Sequence, residues 1–530
     1  MNIRLACNST NRQGSILIVV LVVVVLLSLT AYAFTSLMQT EDEATRLATR
    51  RVQSKYLVHS GVDYARLLLS YDLATIREKG GLWDNEVSFR GVPVVVDREN
   101  EENFGRFTII TSSMDVDDGT PDGRRYGLFD ESGKLNLNVL PLVDEYPPGG
   151  AGRQLLMSLP FMDQLPNAEE IADAILDWLD EDDEPREFGA ESDYYSSLPK
   201  PYRCKNGPMD SLDELLLVRG ITPQLLFGDD VNRNGIIDQS ENATESQLDA
   251  EMRLGWLNYL TLYSKESNLN DEKLRRININ GENLEQLYND LGSVFNESWR
   301  VFVIMARVNG VLSESDLPDD AEPVSSAPFV DLDFDTLEAT STFNQILDLA
   351  GTFTSMEGAD GETIYLRSPI GASPLMDPGT VLNVVNAMTN ITTYEGDAIP
   401  GRMNVMQAPR RLLLGIPGLS EEIVDLIITR REFELDDPEV ADLARRFETW
   451  LWTEGLVDLD TMRAILPFVC VGGDVYKAEV VGFFDDGVGS SRAEVILDAT
   501  AGVPRILFWR NKSHLQTGWD IDTLGRTLIE

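Results

Sequence analysis

Hydrophobic and polar positions divide the chain into three regimes. Residues 16–34 form an unbroken apolar run of Ile, Leu, Val, Ala and Phe, relieved only by Ser28, Thr30 and Tyr32. As a helix its 19 residues extend roughly 29 Å, close to the hydrocarbon thickness of a bilayer. No Gly or Pro interrupts residues 15–60, so the helix is predicted to leave the membrane as one rod of roughly 69 Å. Beyond the apolar run Ala44, Ala48, Val52 and Tyr56 recur every four residues, a stripe predicted to pack on a globular head or on partner helices.

After about Leu69 the period changes to two. Residues 87–96 and 106–112 alternate like strands, and 126–138 reads as a further strand and turn. Similar strands return only at 475–484, 492–498 and 504–509. The pattern implies an α+β fold, in which a long N-terminal helix packs on a small antiparallel sheet made of early strands (35–138) and late strands (468–530). A large, mainly helical domain (139–467) is inserted between them. Helices are expected at Ala168–Leu179, 211–219, 282–288 and 420–431. Leu135-Asn-Leu-Asn138, Ile277-Asn-Ile-Asn280 and Met403-Asn-Val-Met406 echo one another, each before a helical stretch, which suggests duplicated units.

The start of the chain admits three readings. Residues 1–14 are polar, carry Arg4 and Arg12 and hold no acid, whereas Glu41, Asp42 and Glu43 follow the apolar run, an asymmetry that keeps the N-terminus cytoplasmic. Ala31-Tyr32-Ala33 could end a secretory signal peptide, the run could be a plain anchor, or Gly14 could end a short leader cut before Ser15. The uninterrupted rod and the position of Gly14 at the polar-to-apolar boundary favour the leader. Cys7 then falls in the discarded part.

Composition narrows the function. The chain has 530 residues, enough for three or four domains, and a formal net charge of −44 that repels phosphate and opposes a nucleic-acid role. Two histidines, His59 and His514, starve histidine-based chemistry, and no G-x-S-x-G elbow surrounds a serine, so the reading is non-enzymatic. Cys204 and Cys470 could pair in an oxidising compartment or remain two free thiols.

Acidic oxygen is abundant, which points any metal towards calcium. Residues 230–241 place Asp230, Asn232, Asn234, Asp238 and Glu241 at positions 1, 3, 5, 9 and 12 of an EF-hand-like loop. Ile236 offers its carbonyl at position 7 and Gly235 turns the chain at position 6. The stretch 246–260 can supply an exiting helix, while 223–227 is short for an entering one. Asp180, Asp182, Asp183, Glu184, Glu191 and Asp193 form a second oxygen-rich cluster, either a second cation site or a solvated loop. Residues 413–428 look like a helix-hairpin-helix. Glu421, Glu422 and Asp425 line its exit, so structural packing is favoured over DNA.

A long N-terminal helix, half apolar and half packed on a head, is the architecture of type IV pilin-like proteins, and Arg12-Gln-Gly-Ser15 before the apolar run resembles a prepilin-peptidase site. Most such proteins carry Glu at the fifth mature position, but here that position is Val19. With residues 172–183, 191–202 and 211–222, the chain resembles the K minor pseudopilin family of the type II secretion system. The resemblance implies removal of residues 1–14, methylation of Ser15, and an inner-membrane anchor with a periplasmic head. It also implies calcium in the helical insert, and contacts with the I and J minor pseudopilins, other pseudopilins and the assembly platform. A neutral fifth position implies a subunit that caps the filament tip. A type IV minor pilin shares the same physics, and a secreted calcium-binding envelope protein is the reading from another class.

Overall fold

The computed structural model describes residues 13–96, 103–112, 123–146, 149–237, 241, 253–325, 332–358, 361–375, 377–431, 445–515 and 517–525. Helix Gln13–Leu69 is continuous over 57 residues. Its apolar first part is wholly exposed, with Val19 61% accessible, as expected of a segment whose partner is lipid or other helices. Its last turns bury Ser54, Leu57, Val58, Val62, Ala65, Leu68 and Leu69 on one face.

That face is not the stripe expected from the sequence. Ala44 and Ala48 are exposed, and Val52 and Tyr56 are 53% and 68% accessible. Two glycines decide which side docks. A Cβ on Gly61 would come within 2.5 Å of Val480 Cγ1, and one on Gly482 within 2.4 Å of the Ser54 carbonyl. The rod therefore approaches the sheet where neither backbone carries a side chain.

The sheet runs Val92–Val95, Gly105–Ser112, Val475–Phe484, Ser491–Asp498, Arg505–Asn511, all antiparallel. The early strand Gly105–Ser112 pairs directly with the late strand Val475–Phe484, Ile109 opposite Val480. Alternation gives the sheet two apolar faces. Phe107, Ile109, Ala478, Val480, Val495 and Leu497 meet the rod, while Ile110, Val481 and Phe483 meet Trp519 and Leu524.

Some local expectations are corrected. Residues 87–96 are not one strand: Asn85 accepts the Ser88 N–H at 3.1 Å and caps the short helix Glu86–Phe89, leaving only Val92–Val95 extended. Residues 126–138 divide into Arg124–Tyr126, Phe129–Asp130 and Leu135–Asn136, of which only the first two join the sheet. The 211–219 segment is a 3-10 turn, Leu212–Leu217, held by a Ser211–Glu214 capping box. The other predicted helices form as Ala168–Leu179, Leu284–Leu291 and Glu421–Arg431.

The three echoed motifs form the same object. Leu135–Asn136 pairs in parallel with Leu260–Thr261, Ile277–Asn278 with Ile391–Thr392, and Met403–Asn404 with Val469–Cys470. In each, the first Asn side chain accepts the N–H two residues on, at 3.1, 2.9 and 2.8 Å, turning the chain out of the ladder. The insert is thus three loops of chain, each closed by a two-residue parallel ladder, with an additional hairpin Phe353–Glu357 and Thr363–Arg367 in the second.

Candidate metal centres

Helix Ala168–Leu179 buries Ile171, Ala172, Ile175 and Leu179, but also Asp173 and Asp177, both wholly inaccessible. Buried carboxylates need partners. Asp173 takes two hydrogen bonds from Arg153, at 2.7 and 2.6 Å, and the Phe188 N–H at 3.1 Å. Asp177 accepts the N–H groups of Arg186 and Ala190, the latter at 2.7 Å. A Cβ on Gly189 would fall 1.8 Å from Asp177 Oδ2, so only glycine lets the loop lie this close. These bonds fold residues 180–190 back over the end of the helix.

The fold-back brings Asp180, Asp182 and Glu191 together, with one carboxylate oxygen of each within 4.8 Å of the others. Glu191 is 3% exposed and neither of its oxygens accepts a hydrogen bond from an N–H or O–H, nor does Asp180 Oδ1. Burial pushes Asp180 up to about 6, against the pull of Arg186. Burial, with the charges of Asp177, Asp180 and Asp183, pushes Glu191 up to about 7. Three converging carboxylates, the exposed Asp182, the half-buried Asp180 and the buried Glu191 with the Cys204 thiol beside it, match the donor chemistry of a hard divalent cation. The other expected members serve elsewhere. Asp183 receives the Ser192 N–H and the Asn206 amide, both at 3.4 Å; the Ser192 side chain and then that of Asn206 hold it below the usual range, and Glu184 and Asp193 are exposed. Asn206, a residue the sequence did not single out, also donates to the Asp182 carbonyl at the rim of the cluster.

The 230–241 loop is assembled by its own backbone. Asp230, 4% exposed, accepts the N–H groups of Asn234 and Gly235 at 3.1 and 2.7 Å, and Glu241 accepts that of Asn232 at 3.0 Å. Asn234 Oδ1 accepts from Ile236 N–H at 2.8 Å. Gly235 has φ +81°, and a Cβ there would strike Ser112. Asp230, Asn232, Asn234, Ile236 and Glu241 are thereby gathered on one turn, and Asp238 lies outside the described residues. Burial and the charge of Glu241 push Asp230 up to about 6. The entering helix is Pro223–Phe227. On the exit side, residues 246–252 lie outside the described residues, and Gly255 at φ +69° followed by a 3-10 turn Trp256–Asn258 replaces a helix reaching 260.

The remaining candidates are spent on packing. In the hairpin, Arg410 pairs with Glu421 and Asp425, each at 2.7 Å, and Arg411 with Asp163 at 2.8 Å, while Leu412, Leu413, Ile416, Val424 and Ile427 are buried. Cys204 lies beside Asp177, with Sγ 3.6 Å from its carbonyl, and Cys470 beside Arg402. Both thiols are free and buried. His59 stacks on Trp509 at 4.7 Å, and His514 is exposed at the turn Ser513–Leu515.

Residues 133–227 match the family model described as type II secretion system (T2SS), protein K. Over 88 residues the chain is 40% identical to type II secretion system protein K of Pectobacterium carotovorum subsp. carotovorum, covering 17% of this chain and 26% of that protein. It is 39% identical over 122 residues to the protein K of Aeromonas hydrophila, covering 21% and 35%. A putative protein K of Escherichia coli strain K12 is 22% identical over 223 residues, covering 41% and 60%. These alignments therefore span between about a quarter and three fifths of the relatives' own lengths. A chain of the GspK-GspI-GspJ complex from enterotoxigenic Escherichia coli aligns over 88% of this chain and 99% of its own at 11% identity, with a TM-score of 0.38. The matched segment contains the Asp180–Asp182–Glu191 cluster and ends just before the 230–241 loop. The likeness to type II secretion system protein K therefore falls on residues 133–227, a segment set within a frame of long apolar helix and antiparallel sheet.

Proposed function

We propose that this protein is a non-enzymatic minor pseudopilin that ends a short filament of the type II secretion system. The observation that carries the reading is the rod: one helix, Gln13–Leu69, exposed and apolar where it would meet lipid or filament neighbours, and docked on the head from Arg50 onward. A prepilin peptidase would cut after Gly14, leaving Ser15 as the mature N-terminus and a candidate for methylation. The helix would first anchor the subunit in the inner membrane, with the head in the periplasm, and then enter the filament core as the assembly platform lifts it out.

An acidic side chain at the fifth mature position would neutralise the next subunit's N-terminal amine, because an unpaired charge in hydrocarbon is costly. Val19 offers no such carboxylate, so the subunit accepts neighbours below it and none above. The insert's bulk over the head supports the same role. The partners in this reading are the I and J minor pseudopilins, which the relatives' complex names, together with the other pseudopilins. Calcium would be held by Asp180, Asp182 and Glu191, and by Asp230, Asn232, Asn234, Ile236 and Glu241 with Asp238. Bound only by the folded head, it would stabilise that head by mass action.

N-terminal sequencing of the membrane-extracted chain tests the processing step. Chains beginning at Ser15 are expected, and chains beginning at Phe34 would replace the pseudopilin with an exported envelope protein. Antibody labelling of sheared filaments tests the position. Label at one end is expected, and copies distributed along the fibre would overturn the capping role.

A further inference from the structure

The described part of the cation loop, residues 230–237, belongs to the insert in sequence but rests on the sheet in space. It covers the face opposite the rod, where the strands carry buried charge beside the apolar Ile110, Val481 and Phe483. Glu479 and Glu494 stand directly opposite each other on neighbouring antiparallel strands, an arrangement of like charges that is destabilising unless cations intervene. Two do. Arg492, whose side chain is wholly inaccessible, bonds Glu479 through Nε at 2.8 Å, and Lys512 pairs with Glu479 at 3.1 Å and Glu494 at 2.6 Å.

Both cations also reach across to the loop. Arg492 Nη1 donates to the Asn232 carbonyl and Nη2 to the Arg233 carbonyl, each at 2.8 Å, and Lys512 Nζ donates to the Arg233 carbonyl at 3.0 Å. Asn234 Nδ2 donates to the Gly518 carbonyl at 2.6 Å, and Ile236 packs on the cluster of Ile110, Val481, Phe483, Trp519 and Leu524. The gripped carbonyls lie between Asp230 and Asn234, the first and third donors of the loop. The grip therefore fixes the backbone conformation that presents the donors.

Beside this grip, loop and strands do not close into an apolar core. They enclose a cavity of about 70 Å³ whose walls include Lys134, Lys477, Glu131 and Glu494. Attachment at this place rests on the clamp together with the Asn234–Gly518 bond and the seat of Ile236. Elsewhere the insert is held independently, by Arg510 with Asp213 at 2.6 Å, Ser267 with Asp474 at 2.7 Å and Asn404 with Asp130 at 3.1 Å. The loop can thus let go without releasing the insert.

We infer that Arg492 is a positioning residue for the cation loop, so that calcium occupancy of 230–241 and docking of the loop on the sheet are one coupled equilibrium. The inference rests on the calcium reading of that loop. A cation that binds the docked conformation better strengthens docking, and by reciprocity docking strengthens binding to the same degree. The device would tie the insert to the pilin-like sheet in a calcium-containing compartment and loosen it where calcium is scarce.

Hydrogen exchange of the full chain in detergent, followed across a calcium titration, tests this. Peptides covering 228–237 should gain protection, and peptides covering 505–515 should gain it with the same midpoint, while 403–431 should not respond. Arg492→Lys, which cannot fork to two carbonyls and Glu479 together, should raise the 228–237 midpoint by at least about fivefold. An unchanged midpoint in that variant overturns the inference and leaves calcium binding intact. So does a calcium-dependent loop beside a calcium-independent 505–515, a comparison within the wild-type chain that holds even if the variant fails to fold. No calcium response at 228–237 would remove the calcium reading of this loop and the coupling with it.

Discussion

Replacing Glu191 by Gln should change stability in opposite directions depending on whether calcium is present. Glu191 is 3% exposed, its oxygens receive no N–H or O–H, and Asp180 and Asp182 converge on it. Without a cation, burial and neighbouring acids raise its pKa from 4.5 to about 7. A raised carboxylate pKa favours the fold below about pH 4.5, and that contribution is lost progressively as pH rises through about 7. At about 1.4 kcal/mol for each tenfold change in the ionisation constant, keeping Glu191 charged costs up to about 3 kcal/mol. Water on the exposed Asp182 side reduces this to about 1–2 kcal/mol. In chelator at pH 8, Glu191→Gln should therefore raise the melting temperature of the head by about 2–8 °C. In calcium at the same pH it should lower it, because a charged ligand is gone. In chelator at pH 4, below the unfolded pKa of 4.5, where Glu191 is protonated in the fold and largely so in the unfolded chain, the two proteins should melt nearly together. The assay is differential scanning fluorimetry of the full chain in detergent. A variant less stable than wild type by the same amount in calcium and in chelator would refute a cation-binding role for this carboxylate.

Gly61→Ala should destabilise the head by about 1–3 kcal/mol, measured by urea unfolding, although alanine is the better helix former by about 1 kcal/mol. A stabilised variant would show that the close approach to Val480 and Phe107 does not set the docking of the rod. Glu494 is a pH prediction of the opposite sign. Burial would raise it, but Lys512 and Lys477 hold it below the ordinary carboxylate range, so its stabilisation is present above about pH 4.5 and lost on acidification. Glu494→Gln should cost about 1–3 kcal/mol at pH 7 and flatten the fall in melting temperature below pH 4.5, and an unchanged acid limb would count against the pair.

How much could be read in advance depended on the range of each interaction. The tight turn at 230–237 was legible because its residues are consecutive and Gly235 at φ +81° is needed by the turn itself. The acidic cluster was legible only as a run of acids. Asp180, Asp182 and Glu191 converge because Asp173 and Asp177, hidden on an otherwise apolar helix face, capture the backbone of 186–190. Acids at i and i+4 among buried aliphatics were the available signal. The stripe at Ala44, Ala48, Val52 and Tyr56 does not meet the head, since periodicity gives a helix a face but not a partner. The strand expected over 87–96 failed for a local reason, the Asn85 cap.

By itself the order of residues determined what depends on near neighbours: an apolar rod without a helix breaker, strands of period two at both ends, and turns closed by Asn side chains after a dipeptide ladder. Folding decided what depends on chain segments hundreds of residues apart. Among these are the helix face admitted by Gly61 and Gly482 and the guanidinium of Arg492 on the carbonyls of Asn232 and Arg233. The division is physical. Local hydrogen bonds and side-chain period are properties of a few consecutive residues, whereas burial and the pairing of charge exist only once distant surfaces exclude water from between them.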